Sequence, residues 1–464
     1  MRKTLILMLL LTLLSAGTMT YAVLDLYPLR DQVVIRELST EDYGLEGTGN
    51  TSVLKGLTAI LKTDYYEAMR WNTKVHFGDA LPETETEYSL QFPLKKTTNY
   101  TRTGSRIELR TVASNILDGT DVMKELEGMA KGLAPGEERT KLIHLKDYAD
   151  YYNVQATFVF PHGTFSWREE APSTIENDTE AALKKLVDEN FLFPLEDSAN
   201  VIAQVENNVK YGPSYGYSMN HTSEGYSLEV IDTFCGDSAW FGFSHTTEGC
   251  WIPDLTQLPL GYGIYRLTIP EDGSQPSLIN VCPLETGTTV LKLTIEAGGE
   301  RVLAHTVENG KYTVTVISVA DNTAVQRLEL ADFPSNSEAW ATYEAEGCTA
   351  VTLSHKIETR QLILLTCDES GLYQIHWNQT LPSEESTMLS YSDNSFRDYY
   401  YDHSPSIAWN GRYLAFGLSE DYRTQFELAL YDETGLVYNG YYRTSLNHWP
   451  VEPDKATPLT LAWE

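Results

Sequence analysis

Ser214 stands in Gly212-Pro213-Ser214-Tyr215-Gly216, which matches the G-x-S-x-G pattern of a hydrolase nucleophile elbow. An elbow activates its serine by holding it on a strained turn from a strand into a helix, above a parallel sheet. Tyr217, Ser218, Met219, Asn220 and His221 follow, and they do not begin a helix. His245 or Asp232 could complete a triad in principle, but the apolar β-α-β surroundings of a hydrolase are missing. The segment reads instead as a Gly/Pro/Ser turn between strands, with Ser214 unreactive. His162, His221, His245, His305, His355, His376 and His403 are scattered singly, without the paired spacing of a metal site. Asp393, Ser395 and Asp398 lack the glycine and closing glutamate of a calcium loop. No catalytic residue, metal site or cofactor site is assigned from these motifs.

Recognition is better represented than catalysis. The chain holds 29 tyrosines, and some cluster: Tyr148, Tyr151 and Tyr152, then Tyr399, Tyr400 and Tyr401 beside Asp402 and His403. Tyrosine offers an apolar ring and a polar tip, which suits binding surfaces and sugar stacking, although it also packs well across strands. Tyr399, Tyr400, Tyr401 and Asp402 precede the last strands in a polar stretch and are the candidate ligand-binding residues. The five cysteines, at 235, 250, 282, 348 and 367, form no C-x-x-C pair, which removes zinc ribbons and thioredoxin-type sites. Cys348 and Cys367 bracket a hairpin. A turn between Ile357 and Glu358 pairs residues whose numbers sum to 715, setting Cys348 opposite Cys367. A disulfide there needs a non-hydrogen-bonded pair, and two free thiols are the alternative.

The elements that must position these residues are short strands. Residues 406–443 read SIAW, Asn410-Gly411, RYLAFGL, FELALYD, Glu433-Thr434-Gly435 and LVYNGYYR. Asn-Gly between alternating runs signals a type I′ hairpin, because both residues accept positive φ. Residues 289–330 repeat the pattern as TVLKLTIE, RVLAHTVE, KYTVTVISV and AVQRLEL. CTAVTLSHK, QLILLTCD, LYQIHW and TMLSY follow over 348–391, and YSLEVIDTF, AWFGFSH, GIYRLTI and SLINVCPL precede over 226–284. With GIYRLTI, KYTVTVI, GLYQIHW and FELALYD as equivalent third strands, a four-stranded unit recurs every 47 to 60 residues. That period predicts an all-β protein, a β-propeller of about six to eight four-stranded antiparallel blades.

The last unit, with Asn410-Gly411, Tyr413 to Phe416 and Asp432 to Gly435, resembles the repeat of Tol-B-type bacterial propellers. The resemblance implies a fold and no activity, because propellers host unrelated functions. Upstream the pattern loosens. Gln32 to Leu38, Glu87 to Leu94, Ile107 to Val112 and Val154 to Phe160 read as strands, interrupted by helical insertions near 122–133 and 179–191.

Thr4 to Val23 are 20 uncharged residues behind Arg2 and Lys3. The positive-inside bias keeps the two cations in the cytoplasm and sends residues 25–464 across the membrane. Residues 1–24 act either as a signal peptide, ending at Thr20-Tyr21-Ala22, or as a retained single-pass anchor. With 65 acidic and 34 basic residues the net charge is −31, which argues against nucleic acid and anionic membrane surfaces as partners. The expectation is an extracytoplasmic binding module, tethered or secreted, with an unknown protein or carbohydrate ligand and no cofactor. The alternative is a secreted carbohydrate-active hydrolase or lyase using paired carboxylates.

Overall fold

Tight turns carrying glycine or asparagine at positive φ separate runs of β-branched and aromatic residues. Asn309 (φ 50°) and Gly310 (φ 75°) both adopt the left-handed conformation that a two-residue type I′ hairpin demands. Asn410-Gly411 departs from that expectation. Trp409 pairs with Leu414, so the loop is four residues long, and Asn410 Oδ1 accepts the amides of Arg412 and Tyr413 at 3.0 and 2.7 Å. A side-chain turn replaces the tight one.

The computed structural model describes residues 8, 11–21, 35–37, 48–65, 69–78, 82–90, 105–112, 116, 120–161, 163–166, 177–219, 226–244, 255–296, 298–334, 340–356, 359–382, 405–419, 425–444 and 459–464. The chain divides into two compact units, residues 1–100 with 334–464, and residues 101–333. Residues 11–21 are helical, and no helix among the described residues is long and apolar enough to cross a membrane.

In chain order the first unit begins with β1 (Ile35–Glu37), β2 (Thr48–Gly49), β3 (Leu57–Tyr65), β4 (Met69–His76) and β5 (Glu83–Leu90). The second unit opens with β6 (Arg106–Val112), helix α1 (Thr120–Ala130), β7 (Glu138–His144), β8 (Asn153–Phe160) and β9 (Gly163–Ser166). Helix α2 (Asn177–Asn190), β10 (Asn200–Asn208), β11 (Gly212–Met219) and β12 (Tyr226–Leu228) come next. Two regular meanders close the unit. One is β13 (Val230–Cys235), β14 (Ser238–Phe243), β15 (Gly263–Thr268) and β16 (Ser277–Pro283). The other is β17 (Thr289–Ile295), β18 (Arg301–Glu308), β19 (Lys311–Ser318) and β20 (Thr323–Asp332). The first unit resumes with β21 (Trp340–Ala345), β22 (Cys348–Lys356), β23 (Thr359–Cys367) and β24 (Tyr373–Pro382). It ends with β25 (Ser406–Trp409), β26 (Leu414–Ser419), β27 (Gln425–Asp432), β28 (Gly435–Thr444) and β29 (Leu459–Trp463).

Seven antiparallel sheets result among the described residues, and four of them contain consecutive meanders, β13–β16, β17–β20, β21–β24 and β25–β28. Middle strands such as β14 and β19 are buried on both faces, hence their near-continuous apolar sequence, whereas the fourth strands β20 and β24 are largely exposed. Two expected strands move. YSLEVIDTF breaks at Glu229, its first part joining β6 and its second founding the β13 meander. GLYQIHW lies in β24, a fourth strand and not a third, because the first strand of that meander is β21, which the sequence reading missed. TMLSY lies outside the described residues. The helical insertions stand close to the expected ranges.

Long-range pairings complete the remaining sheets. C-terminal β29 pairs with β3 in the order β29-β3-β4-β5, while β1 and β2 both pair with the outer edge of β28. In the second unit β12 pairs with β6, giving β12-β6-β8-β9. The strands between them in sequence fold separately as a three-stranded sheet, β11-β10-β7.

Candidate functional site

Tyr399, Tyr400, Tyr401 and Asp402 lie outside the described residues, as do His162, His221, His245, His403, Asp393, Ser395 and Asp398. The Cys348–Cys367 pairing is corrected. Over residues 348–354 the β22–β23 register sums to 714, so Cys348 faces Thr366 and is not bridged to Cys367. A register irregularity between Ser354 and Lys356 inserts the extra residue, since Lys356 still pairs with Thr359. That one-residue slip sends Cys367 to the other face. Tyr148 and Tyr152 serve packing, whereas the Tyr151 side chain is 41% exposed. Tyr152 is buried, Tyr151 bridges to Pro194, and the Tyr148 hydroxyl donates to Glu125, which pushes its pKa up to about 12.

Buried and partly buried polar groups are taken up by the scaffold. Asp232 on β13 accepts the amide of Ile107 on β6 at 2.5 Å, close to the Arg106–Glu108 ion pair (2.9 Å). Burial raises its pKa to about 6, against the opposing pull of that amide and of Arg106. His305 is fully buried on β18, with Nδ1 at 2.9 Å from the Tyr312 hydroxyl. Desolvation holds it neutral, its pKa lowered to about 3. Glu308 is buried against Arg327 and accepts the Thr306 hydroxyl at 3.1 Å. Arg266 packs its guanidinium 5.0 Å from the Trp240 ring and donates to Ser238, Val319 and Asn322, tying β14 and β15 to the β19–β20 turn. Among the described residues no group of three or more His, Cys, Asp or Glu side chains is gathered as a metal would need.

The feature that the scaffold leaves unexplained is the β11-β10-β7 sheet. Its inner face is ordinary: Ile143, Val201, Ala203 and Val205 are buried, packing with Val122, Leu126 and Met129 of α1 in one apolar cluster. The outer face is not. Leu142 (47% exposed) and Ile202 (48%) are direct cross-strand partners, and Val209 (79%) and Tyr211 (77%) project from the β10–β11 turn. Tyr215 on β11 stands opposite the buried Val205, on the inner side of the sheet, and is 39% exposed there. Ten large apolar or aromatic side chains beyond residue 24 are exposed among the described residues, and five of them belong to this one sheet and its turn. Four others, Ile279, Val325, Leu372 and Ile375, sit on or beside the exposed fourth strands, where such exposure is normal.

Ser214 lies in the same sheet. It occupies mid-β11 opposite Glu206, exposed, with its hydroxyl 3.4 Å from the Glu206 carbonyl. The expected turn is a strand, and no helix follows within the described residues. On the outer face Ile202, Gln204 and Glu206 of β10 stand between Leu142, Thr140 and Glu138 of β7 and Ser218, Gly216 and Ser214 of β11. Glu138 and Glu206 are directly opposed, a like-charge pair that a sheet ordinarily avoids.

Consecutive four-stranded antiparallel meanders, with a C-terminal strand completing the sheet of β3, decide the architecture. The fold is a β-propeller. No family model matches the chain, and no curated protein matches it. Among solved propellers it is similar to the periplasmic gluconolactonase of Pseudomonas aeruginosa, at 12% identity and TM-score 0.30, over 87% of this chain and 99% of that one. AztD from Citrobacter koseri gives 8% identity and TM-score 0.31 over 87% and 97% of the two chains. TolB from Acinetobacter baumannii gives 11% and 0.24 over 92% and 86%. These likenesses concern the propeller fold. The three-stranded β11-β10-β7 sheet is not one of the consecutive four-stranded meanders, and because its strands interrupt the sequence of the β12-β6-β8-β9 sheet we refer to it as the accessory sheet.

Proposed function

We propose that this propeller is an extracytoplasmic binding module that engages a protein partner through its accessory sheet. The N-terminal segment either holds it on the cytoplasmic membrane or is removed and releases it. Arg2 and Lys3 before 20 uncharged residues support that address. The observation that carries the binding role is the concentration of exposed apolar side chains on β7, β10 and the β10–β11 turn. Burying a Leu or Ile side chain completely is worth about 1.5–3 kcal/mol, and Leu142 and Ile202 retain roughly half of that for a partner. Placed on an inserted sheet, they can change without disturbing the blades. For the hydrolase or lyase alternative, the described residues offer no observation in favour.

The Leu142→Thr, Ile202→Thr double variant tests this role, because threonine is polar yet β-branched, a shape that strands accept. Wild-type chain in mildly solubilised cells is expected to migrate as an assembly larger than its own 52.2 kDa. The variant is expected to migrate alone with an unchanged melting temperature. Equal migration of the two rules the role out.

A further inference from the structure

Edge strands are normally protected by charge, proline or a bulge, because their unpaired amides and carbonyls invite another strand. The two edges of the accessory sheet differ in this respect. The β7 edge carries Glu138, Arg139 and Lys141 within seven residues. The β11 edge, GPSYGYSM, carries no charge at all, and its only proline is at the second position. It pairs with β10 over eight consecutive positions without a register shift. Among the described residues no strand pairs with its other side.

The outer face of β11 is also unusually low. By register Gly212, Ser214, Gly216 and Ser218 alternate along one side of β11, beside Asn208, Glu206, Gln204 and Ile202 respectively. Small residues there leave β10 uncovered from the β11 side. A strand added next to β11 lies about 9–10 Å from β10, two strand spacings away. Long side chains on that strand can pass over the serines and glycine to reach it. Beside Ser218 such a side chain meets the exposed Ile202–Leu142 pair. Beside Ser214, four residues earlier, it meets the opposed carboxylates of Glu206 and Glu138, with Glu138 already accepting from Gln204 at 2.9 Å. A cation placed there relieves the like-charge opposition, in a molecule whose net charge is −31.

The geometry points to β-strand addition at β11 by an extended segment of a partner protein carrying an apolar residue followed four positions later by Lys or Arg. The order follows from antiparallel pairing, the mode of every sheet here: the incoming strand passes Ser218 first and Ser214 last. Main-chain hydrogen bonds supply affinity and the alternate side chains supply selectivity. The inference rests on the reading of the accessory sheet as the binding surface, and it names the partner's chemistry.

The test is a titration of the full chain, purified in mild detergent, with a capped Ser/Thr-rich peptide bearing Leu and Lys four positions apart. A peptide of the same composition with Leu and Lys adjacent is the control, since adjacent residues on a strand face opposite ways. The spaced peptide is expected to bind at least tenfold more tightly than the control. Ser214→Lys guards the edge and fills the low face, and it is expected to reduce binding at least tenfold with no loss in melting temperature. Glu138→Gln with Glu206→Gln is expected to remove the salt dependence of binding and the preference for Lys, leaving the edge intact. Equal binding of the two peptides, equal binding to the Ser214→Lys variant, or no binding overturns the inference. Self-association of the chain that Ser214→Lys abolishes also overturns it, by making a second copy the occupant. If peptide binding fails while Leu142→Thr, Ile202→Thr still dissolves the cellular assembly, only edge pairing falls. If the assembly survives that double variant, the underlying binding role falls.

Discussion

Asp232 is a partly buried carboxylate whose amide partner, Ile107, is 125 residues away, so its environment is built by the fold. The fold holds its proton more tightly than an open chain does, with a pKa near 6 against an ordinary aspartate value of about 3.9. Its contribution to stability is therefore greatest below about pH 4 and is lost as pH rises through 6. His305 runs the other way: held neutral, it costs stability as pH falls below its ordinary value of about 6.5. The two slopes oppose between pH 4 and 6, so the informative quantity is a difference. Asp232→Asn, which can still accept the Ile107 amide, is expected to gain melting temperature relative to wild type as pH rises from 4 to 6, with the gain constant above that. A difference that does not change with pH contradicts the account of this carboxylate. None of this was legible in the sequence, where Asp232 was only a conceivable triad partner. Ser214 drew notice in the sequence only for its G-x-S-x-G setting. Its actual distinction, being small and uncharged on an edge strand, becomes visible only once β10 stands beside it.

At the level of elements, the regular meanders were legible because their turns are short and local. The four runs over 289–330 became β17–β20 in order, and the four over 406–443 became β25–β28. Errors arose where position depends on distant partners or on one extra residue. The β22–β23 irregularity is a change in pairing near a turn, and it moved two cysteines to opposite faces. The pairings β12 with β6, β29 with β3 and β1 with β28 join segments more than 100 residues apart, for which local alternation carries no signal. The accessory sheet escaped for the same reason: its β7 and β10 are interleaved with β8 and β9 of another sheet. The C-terminal strand offers a direct check. Gly417 on β26 faces β29, and a Cβ there would meet Leu459 Cδ2 at 2.6 Å and Leu461 Cδ1 at 2.9 Å. Gly417→Val is expected to cost about 1–3 kcal/mol through overpacking and to loosen β29. Limited proteolysis should then remove the C-terminus faster than in wild type. Unchanged C-terminal cleavage would show that β29 does not depend on that close approach.

For the molecule as a whole, sequence charge and hydropathy spoke to address and partner class more than to fold. The 31-charge acidic excess repels other anions, and the cationic partner segment proposed above is its electrostatic complement. Protease added to intact spheroplasts is expected to digest residues beyond Asp25, and full protection would reverse the proposed orientation. The central claim is that this propeller binds a protein through an inserted sheet, using the blades as support. A photo-crosslinking side chain placed in cells at Leu142, at Ile202, and at Val325 on the outer strand of a regular meander tests it most directly. The account predicts one discrete adduct of the same mass at positions 142 and 202 and none at 325. No adduct at 142 and 202, or an equal adduct at 325, would contradict it.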